Sequence, residues 1–85
     1  MRIISQNGRV DIKYEDISVH VESKESFDKF VSEKWILLLG RTSNGNDFLL
    51  GSFDTLEEAK AMLLAIAKGW RHNYQIFYCS EKEEY

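Results

Sequence analysis

Proline is absent from this 85-residue chain, cysteine occurs once and histidine twice. A lone Cys79 cannot close an intramolecular disulfide, so nothing implies an oxidising compartment. His20, His72 and Cys79 show no zinc-ligand spacing, so no metal is expected. The longest apolar run, Trp35 to Leu39, is far too short to span a bilayer. No long apolar stretch of a signal peptide follows Arg2. A cytoplasmic, soluble protein is therefore expected. Basic clusters are missing too: residues 1–40 carry six basic and seven acidic side chains, residues 41–85 five and seven, for a net charge of -3. That balance disfavours non-specific nucleic-acid binding, which needs a concentrated positive footprint. Internal repeats, linkers and low-complexity segments are absent as well.

What remains fits one α+β domain over residues 1–80, since a chain this short cannot build a second core. The acidic end, Glu81-Lys82-Glu83-Glu84, reads as a solvated, fraying tail over 81–85. Residues 2–6 and 9–13 alternate apolar and polar across Asn7-Gly8, which predicts a hairpin with a two-residue type I′ turn. Ile17, Val19 and Val21 alternate with Ser18, His20 and Glu22, as in a half-buried strand. Residues 24–33 allow a short helix, from the spacing of Phe27, Phe30 and Val31, or a wide loop. Trp35–Leu39 and Phe48–Phe53 flank Thr42-Ser43-Asn44-Gly45-Asn46-Asp47, a second hairpin. Thr55 with Glu58 forms a capping box. Leu56, Ala59, Leu63, Ile66 and Trp70 then make one helical stripe over about 56–70, with Gly69 as the stop signal. Tyr74–Cys79 supplies a last strand. The expected architecture is a mainly antiparallel sheet of about five strands, with one long helix on one face.

The opening run, Met1-Arg2-Ile3-Ile4-Ser5-Gln6-Asn7-Gly8-Arg9-Val10-Asp11-Ile12-Lys13-Tyr14-Glu15, resembles a group of small uncharacterised proteins of Gram-positive bacteria and their prophages. Those proteins begin Met, Arg or Lys, Ile-Ile-Ser-Gln, Asp or Asn, Gly, any residue, Ile or Val, Asp, Ile or Leu, Pro-Tyr-Glu. The match departs at Lys13, where the group has proline, and is loose beyond Glu15. The resemblance implies a prophage or mobile-element setting and brings no activity with it.

Two strands, Trp-Ile-Leu-Leu-Leu and Tyr-Gln-Ile-Phe-Tyr-Cys, look apolar on both faces, which calls for cover on both sides. One helix covers one face, and Leu64 falls outside the main stripe. A homodimer that covers the remainder is the expected consequence.

Candidate chemistry is sparse. Trp70, Arg71, His72, Asn73 and Tyr74 form the densest group of functional side-chain types, able in principle to meet a nucleotide or an acidic peptide. The plainer reading places Arg71 and His72 at a helix C-terminus, with Trp70 and Tyr74 in the core. His20, between Ser18 and Glu22, lies on the polar face of its strand without the geometry of a triad. Asp11, Glu15 and Asp16 lack the ligand spacing of a calcium loop, and the 42–46 loop joins strands where a phosphate loop would enter a helix. Cys79 reads as a small buried residue.

These features predict a non-enzymatic accessory protein that binds another protein and needs no cofactor or small molecule. Trp70, Arg71, His72, Tyr74 and Leu64 are its candidate contact residues. The alternative is a nucleic-acid-associated factor using residues 70–74 and the sheet aromatics. An enzyme would require a site assembled across a dimer interface.

Overall fold

Ile3 and Ile12 face one another where β1 (Arg2–Ile4) runs antiparallel to β2 (Asp11–Lys13). The turn between them is wider than the expected two residues. Gly8 takes φ of +74°, whereas Asn7 stays out of the left-handed region that a type I′ turn demands at both positions. Side chains close the loop: the Asn7 Oδ1 accepts from the Arg9 N–H at 2.9 Å and the Ser5 hydroxyl at 2.8 Å, and the Ser5 Oγ accepts from the Val10 N–H at 3.0 Å. The physical reason is Gln6. Its backbone N–H turns away to the Leu50 carbonyl at 2.8 Å, so the hairpin opens to reach a second sheet.

The computed structural model describes residues 1–27 and 32–79. A single 3-10 turn, Tyr14–Asp16, leads into β3 (Ile17–Phe27), β4 (Ser32–Thr42) and β5 (Asp47–Phe53), an antiparallel meander. β3 and β4 pair without a register break from Ile17 opposite Thr42 to Phe27 opposite Ser32. Residues 24–27 and 32–33 are thus strand, and the short helix considered for 24–33 does not form there; residues 28–31 lie outside the described residues. A short helix fixes several dihedrals for each early hydrogen bond, whereas here each residue extends a ladder already in register. β4 and β5 shift register between Leu38 and Leu39. That bulge leaves the Leu50 carbonyl free to accept from Gln6.

The helix α1 (Leu56–Arg71) starts with the expected capping box, Glu58 N–H to Thr55 Oγ1 and Thr55 N–H to Glu58 Oε1, both at 3.2 Å. Its inner face differs from the expected stripe. Ala59, Ile66 and Gly69 are buried, with Met62 and Leu63 half-buried, while Leu56 and Trp70 are exposed. Gly69 lies inside the helix, where a Cβ would sit 3.0 Å from Phe77 and 3.1 Å from Tyr74. It is a close-packing residue, and Asn73 does the stopping. Asn73 adopts φ of +63°, its N–H reaches the Trp70 carbonyl at 3.1 Å, and the Tyr74 N–H reaches the Gly69 carbonyl at 2.9 Å. This is a Schellman ending with asparagine in place of the usual glycine.

The chain closes with β6 (Ile76–Tyr78), which pairs in parallel with β1, Ile3 beside Phe77. The result is α+β, with two three-stranded sheets, ordered β2-β1-β6 and β3-β4-β5, in place of a single sheet of about five strands. Ile3, Leu38, Leu50, Ile66 and Cys79 are fully buried at the centre. The last strand is not apolar on both faces in space: Cys79 is buried, but Ile76 and Tyr78 are exposed. Residue type implies cover on both faces, yet the Ile76 and Tyr78 side chains stand open to solvent. No helix among the described residues is long and apolar enough to cross a membrane.

Candidate functional site: an open strand edge beside an apolar groove

Beyond Ile17, whose N–H donates to the Tyr14 carbonyl, the outer edge of β3 has no backbone partner among the described residues. Its exposed groups follow from the ladder. Ser52 directs its N–H and C=O away from β4, to the Gln6 side chain at 2.9 and 3.3 Å. Leu37, opposite Ser52, therefore turns its own groups toward Glu22 on β3. Hydrogen-bonded and non-hydrogen-bonded pairs alternate in an antiparallel ladder. Hence Ser18, His20 and Glu22 bond to β4, and Val19, Val21, Ser23 and Glu25 present their N–H and C=O outward, while Ile17 offers its C=O alone because its N–H donates to the Tyr14 carbonyl. The side chains of Ile17, Val19 and Val21 pack toward the core, which sends those of Ser18, His20 and Glu22 to the other face.

The other long edge is closed. Gln6 lies along β5, its carboxamide taking the place of a neighbouring strand, and Gly51 gives it room: a Cβ there would be 2.8 Å from Gln6 Cδ. Sheet edges attract other chains unless they are short, charged or covered. β2 and β6 are short and β5 is covered, so β3 stands out.

Beside the start of β3 lies a groove of about 410 Å³ between Ile17, Val19 and the helix residues Leu63, Leu64, Ala67 and Trp70. It continues toward Lys68 and Arg71 in a neighbouring hollow of about 400 Å³. Leu64 is 63% exposed and Trp70 51%, so the candidate contact residues Leu64 and Trp70 do fall together. Trp70 is held in place. Its ring sits 5.9 Å from that of Tyr14, and its Nε1–H donates to Glu15 Oε2 at 3.2 Å. Glu15 also binds the Met1 ammonium at 2.8 Å.

Tyr74, 55% exposed, lines a separate hollow with Met1, Glu15, Trp70, Arg71 and Asn73. The expectation that Trp70 and Tyr74 enter the core is therefore corrected, because Gly69 takes the inward position. Arg71 and His72 are exposed at the helix end and make no side-chain hydrogen bond or ion pair among the described residues. Trp70, Arg71, Asn73 and Tyr74 thus share one hollow, and His72 alone of the segment does not line it.

A second cluster was invisible in the sequence as a group. His20 Nε2 lies 3.1 Å from Glu22 Oε2, and Asp47 of β5 brings a carboxylate so that all three donor atoms fall within 4.8 Å of one another. Asp47 is already forked by Arg41, Nε to Oδ1 at 2.8 Å and Nη2 to Oδ2 at 3.1 Å. That guanidinium holds the Asp47 carboxyl below the ordinary carboxylate range. With both carboxylate oxygens engaged, the cluster is arranged as an ion-pair network. Asp11, Glu15 and Asp16, weighed together from sequence, separate in space: Asp11 pairs with Arg2 and Glu15 with the amino terminus. Burial pushes the Cys79 thiol up to about 11, which fits a packing role.

Asp11, Glu15 and Asp47 all have carboxyl groups held below their ordinary values, by Arg2, by the Met1 ammonium with Trp70, and by Arg41 respectively. A depressed carboxylate stabilises the fold above its unfolded-state value and loses that contribution as pH falls through the folded one. Thermal melts between pH 7 and pH 2 are expected to fall mainly below about pH 4. All three groups are solvent-exposed, so the fall is expected to be modest and flattened by salt. An acid dependence unchanged between low and about 0.5 M salt would contradict this origin.

No protein-family model matches the chain, and neither curated proteins nor solved structures yield a match.

Proposed function

We propose that this protein is a non-enzymatic interaction protein, cytoplasmic and of the prophage or mobile-element kind that its opening run resembles, acting by protein–protein binding. The observation that carries the reading is the coincidence of the outer edge of the eleven-residue strand β3, open beyond Ile17 among the described residues, with an apolar groove lined by Leu64 and Trp70. Strand addition draws affinity from main-chain hydrogen bonds and specificity from side chains seated in an adjoining pocket. Both parts are present side by side. Nucleic-acid binding finds less support, because the chain carries 11 basic against 14 acidic side chains and Arg71 shares its hollow with Glu15.

The test is affinity capture from a bacterial lysate with three baits: the natural protein, Leu64→Glu and Trp70→Ala. Both residues are exposed, so each variant is expected to keep the fold. The expected result is a protein retained by the natural bait and lost by both variants. A set of captured proteins indifferent to the groove would overturn the reading.

A further inference from the structure

We propose that the occupant of the β3 edge is a second copy of this chain, paired antiparallel about a two-fold axis at Val21. This rests on the reading of the β3 edge as a binding surface and names the partner. In a two-fold strand pair each residue at a given distance before the axis faces the one at the same distance after it. The outward backbone groups belong to Val19, Val21, Ser23 and Glu25 and to the Ile17 carbonyl, the Ile17 N–H being held by Tyr14, so the hydrogen-bonded pairs of the new ladder must join these positions to one another. That restricts the axis to whole residues and leaves few registers.

With Val21 on the axis, Val21 meets Val21, Val19 meets Ser23, and Ile17 meets Glu25. The opposite face carries the stronger argument. His20 then lies directly across from Glu22 of the second copy, and Glu22 from its His20, so two imidazoles and two carboxylates alternate around the axis. Lys24 falls opposite Ser18 and next to Asp16, whose carboxylate has no ion-pair partner among the described residues. On the helix side Glu25 of the second copy comes to the end of the groove near Lys68 and Arg71, which line its continuation and likewise have no ion-pair partner among the described residues.

Neighbouring registers are worse. Moving the axis one residue toward the β3–β4 hairpin tip sets Glu22 against Glu22 and His20 against Lys24, and directly opposed like charges destabilise a strand pair. Moving it one residue the other way sets His20 against His20 and shortens the paired segment to Ile17–Ser23. The favoured register joins the two meanders into a six-stranded sheet. It also puts the helices of both copies on the same face, with Leu64 and Ala67 turned toward the seam. Those residues line a groove that the single chain leaves open to solvent.

Single cysteines test the register directly. Val21→Cys places two thiols across a hydrogen-bonded pair with Cα atoms about 5.5 Å apart, inside the range a disulfide accepts. Ser23→Cys separates like thiols by about 13 Å along the strands. The natural Cys79 is fully buried and its thiol stays protonated, so it need not be removed. The expected result is a dimer by light scattering at micromolar concentration, and a covalent dimer on mild oxidation of Val21→Cys but not of Ser23→Cys. Val21→Pro serves as the second variant. Its missing N–H is one that points away from β4, so the β3–β4 ladder stays intact. Its dimer dissociation constant is expected to rise at least about tenfold, from the two symmetry-related bonds lost, with an unchanged circular dichroism spectrum. A monomer throughout, or a dimer that cross-links through Ser23→Cys, overturns the proposal. A monomer that still captures a groove-dependent partner would overturn the two-fold pairing alone. A cross-linked dimer that captures nothing would instead remove the reading of a foreign partner.

Discussion

Replacing Ile66 by alanine is expected to cost about 2–5 kcal/mol and to lower the melting temperature by roughly 10 °C or more. Ile66 is fully buried on the inner face of α1, in the cluster that holds Ile3, Leu38, Leu50 and Cys79. It is the one large fully buried side chain that the helix contributes to that cluster, since Ala59 and Gly69 have little to give and Leu63 and Met62 are half-buried. A domain of this size has a total stability of roughly 4–13 kcal/mol. Truncating Ile66 therefore removes a large fraction of the margin. Leu64→Ala makes the instructive contrast, because Leu64 is two residues away and 63% exposed. In dilute, monomeric protein it is expected to change stability by no more than about 0.5 kcal/mol. Urea denaturation of both variants checks the pair. Equal losses at the two positions would contradict the helix orientation described above.

The second large effect is a reversal of sign at Gly51. Alanine there forces its Cβ to within 2.8 Å of Gln6 Cδ and 3.1 Å of Gln6 Cγ and Nε2. The carboxamide must leave, and both of its hydrogen bonds to Ser52 go with it. The expected cost is roughly 1–3 kcal/mol, at about 0.5–1.5 for each bond. In a Gln6→Ala background those three close contacts are removed. Gly51 takes no positive φ, so alanine suits the strand and is expected to stabilise by about 0.5–1 kcal/mol. A double-mutant cycle in urea isolates this coupling. If Gly51→Ala cost the same in both backgrounds, Gln6 would not be the group that closes the β5 edge.

The sequence announced those parts of the fold that depend on neighbours along the chain. The Thr55–Glu58 cap, the hairpin around the 42–47 loop and the exposure of Leu64 are all set within a few residues, and all appear in the structure. What it concealed depends on residues far apart. Asn7-Gly8 has the composition of a two-residue turn, but the pull of Leu50 on Gln6 opens it, and no local pattern records that attraction. Gly69 reads as a helix stop until Phe77 and Tyr74 are seen against it; Asn73, four residues on, then takes the left-handed position. Phe27, Phe30 and Val31 have helical spacing, yet the register of β3 against β4 carries Phe27 into strand. The same limit applies to the site. Leu64 and Trp70 stand out on the helix alone, but their groove needs Ile17 and Val19 from β3. Asp47 joins His20 and Glu22 only once β5 is placed.

The parallel pairing of β1 with β6 has a consequence for how the chain folds during synthesis. Arg2 stands beside Ile76 in that pair, and the Cys79 N–H bonds the Ile4 carbonyl at 2.9 Å. The meander and the helix are built from contacts that close soon after each segment leaves the ribosome. Ile3, by contrast, waits for Phe77 and Cys79, which are made several seconds later at about 5–20 residues per second. Completion of the core is thereby deferred until β6 has been made.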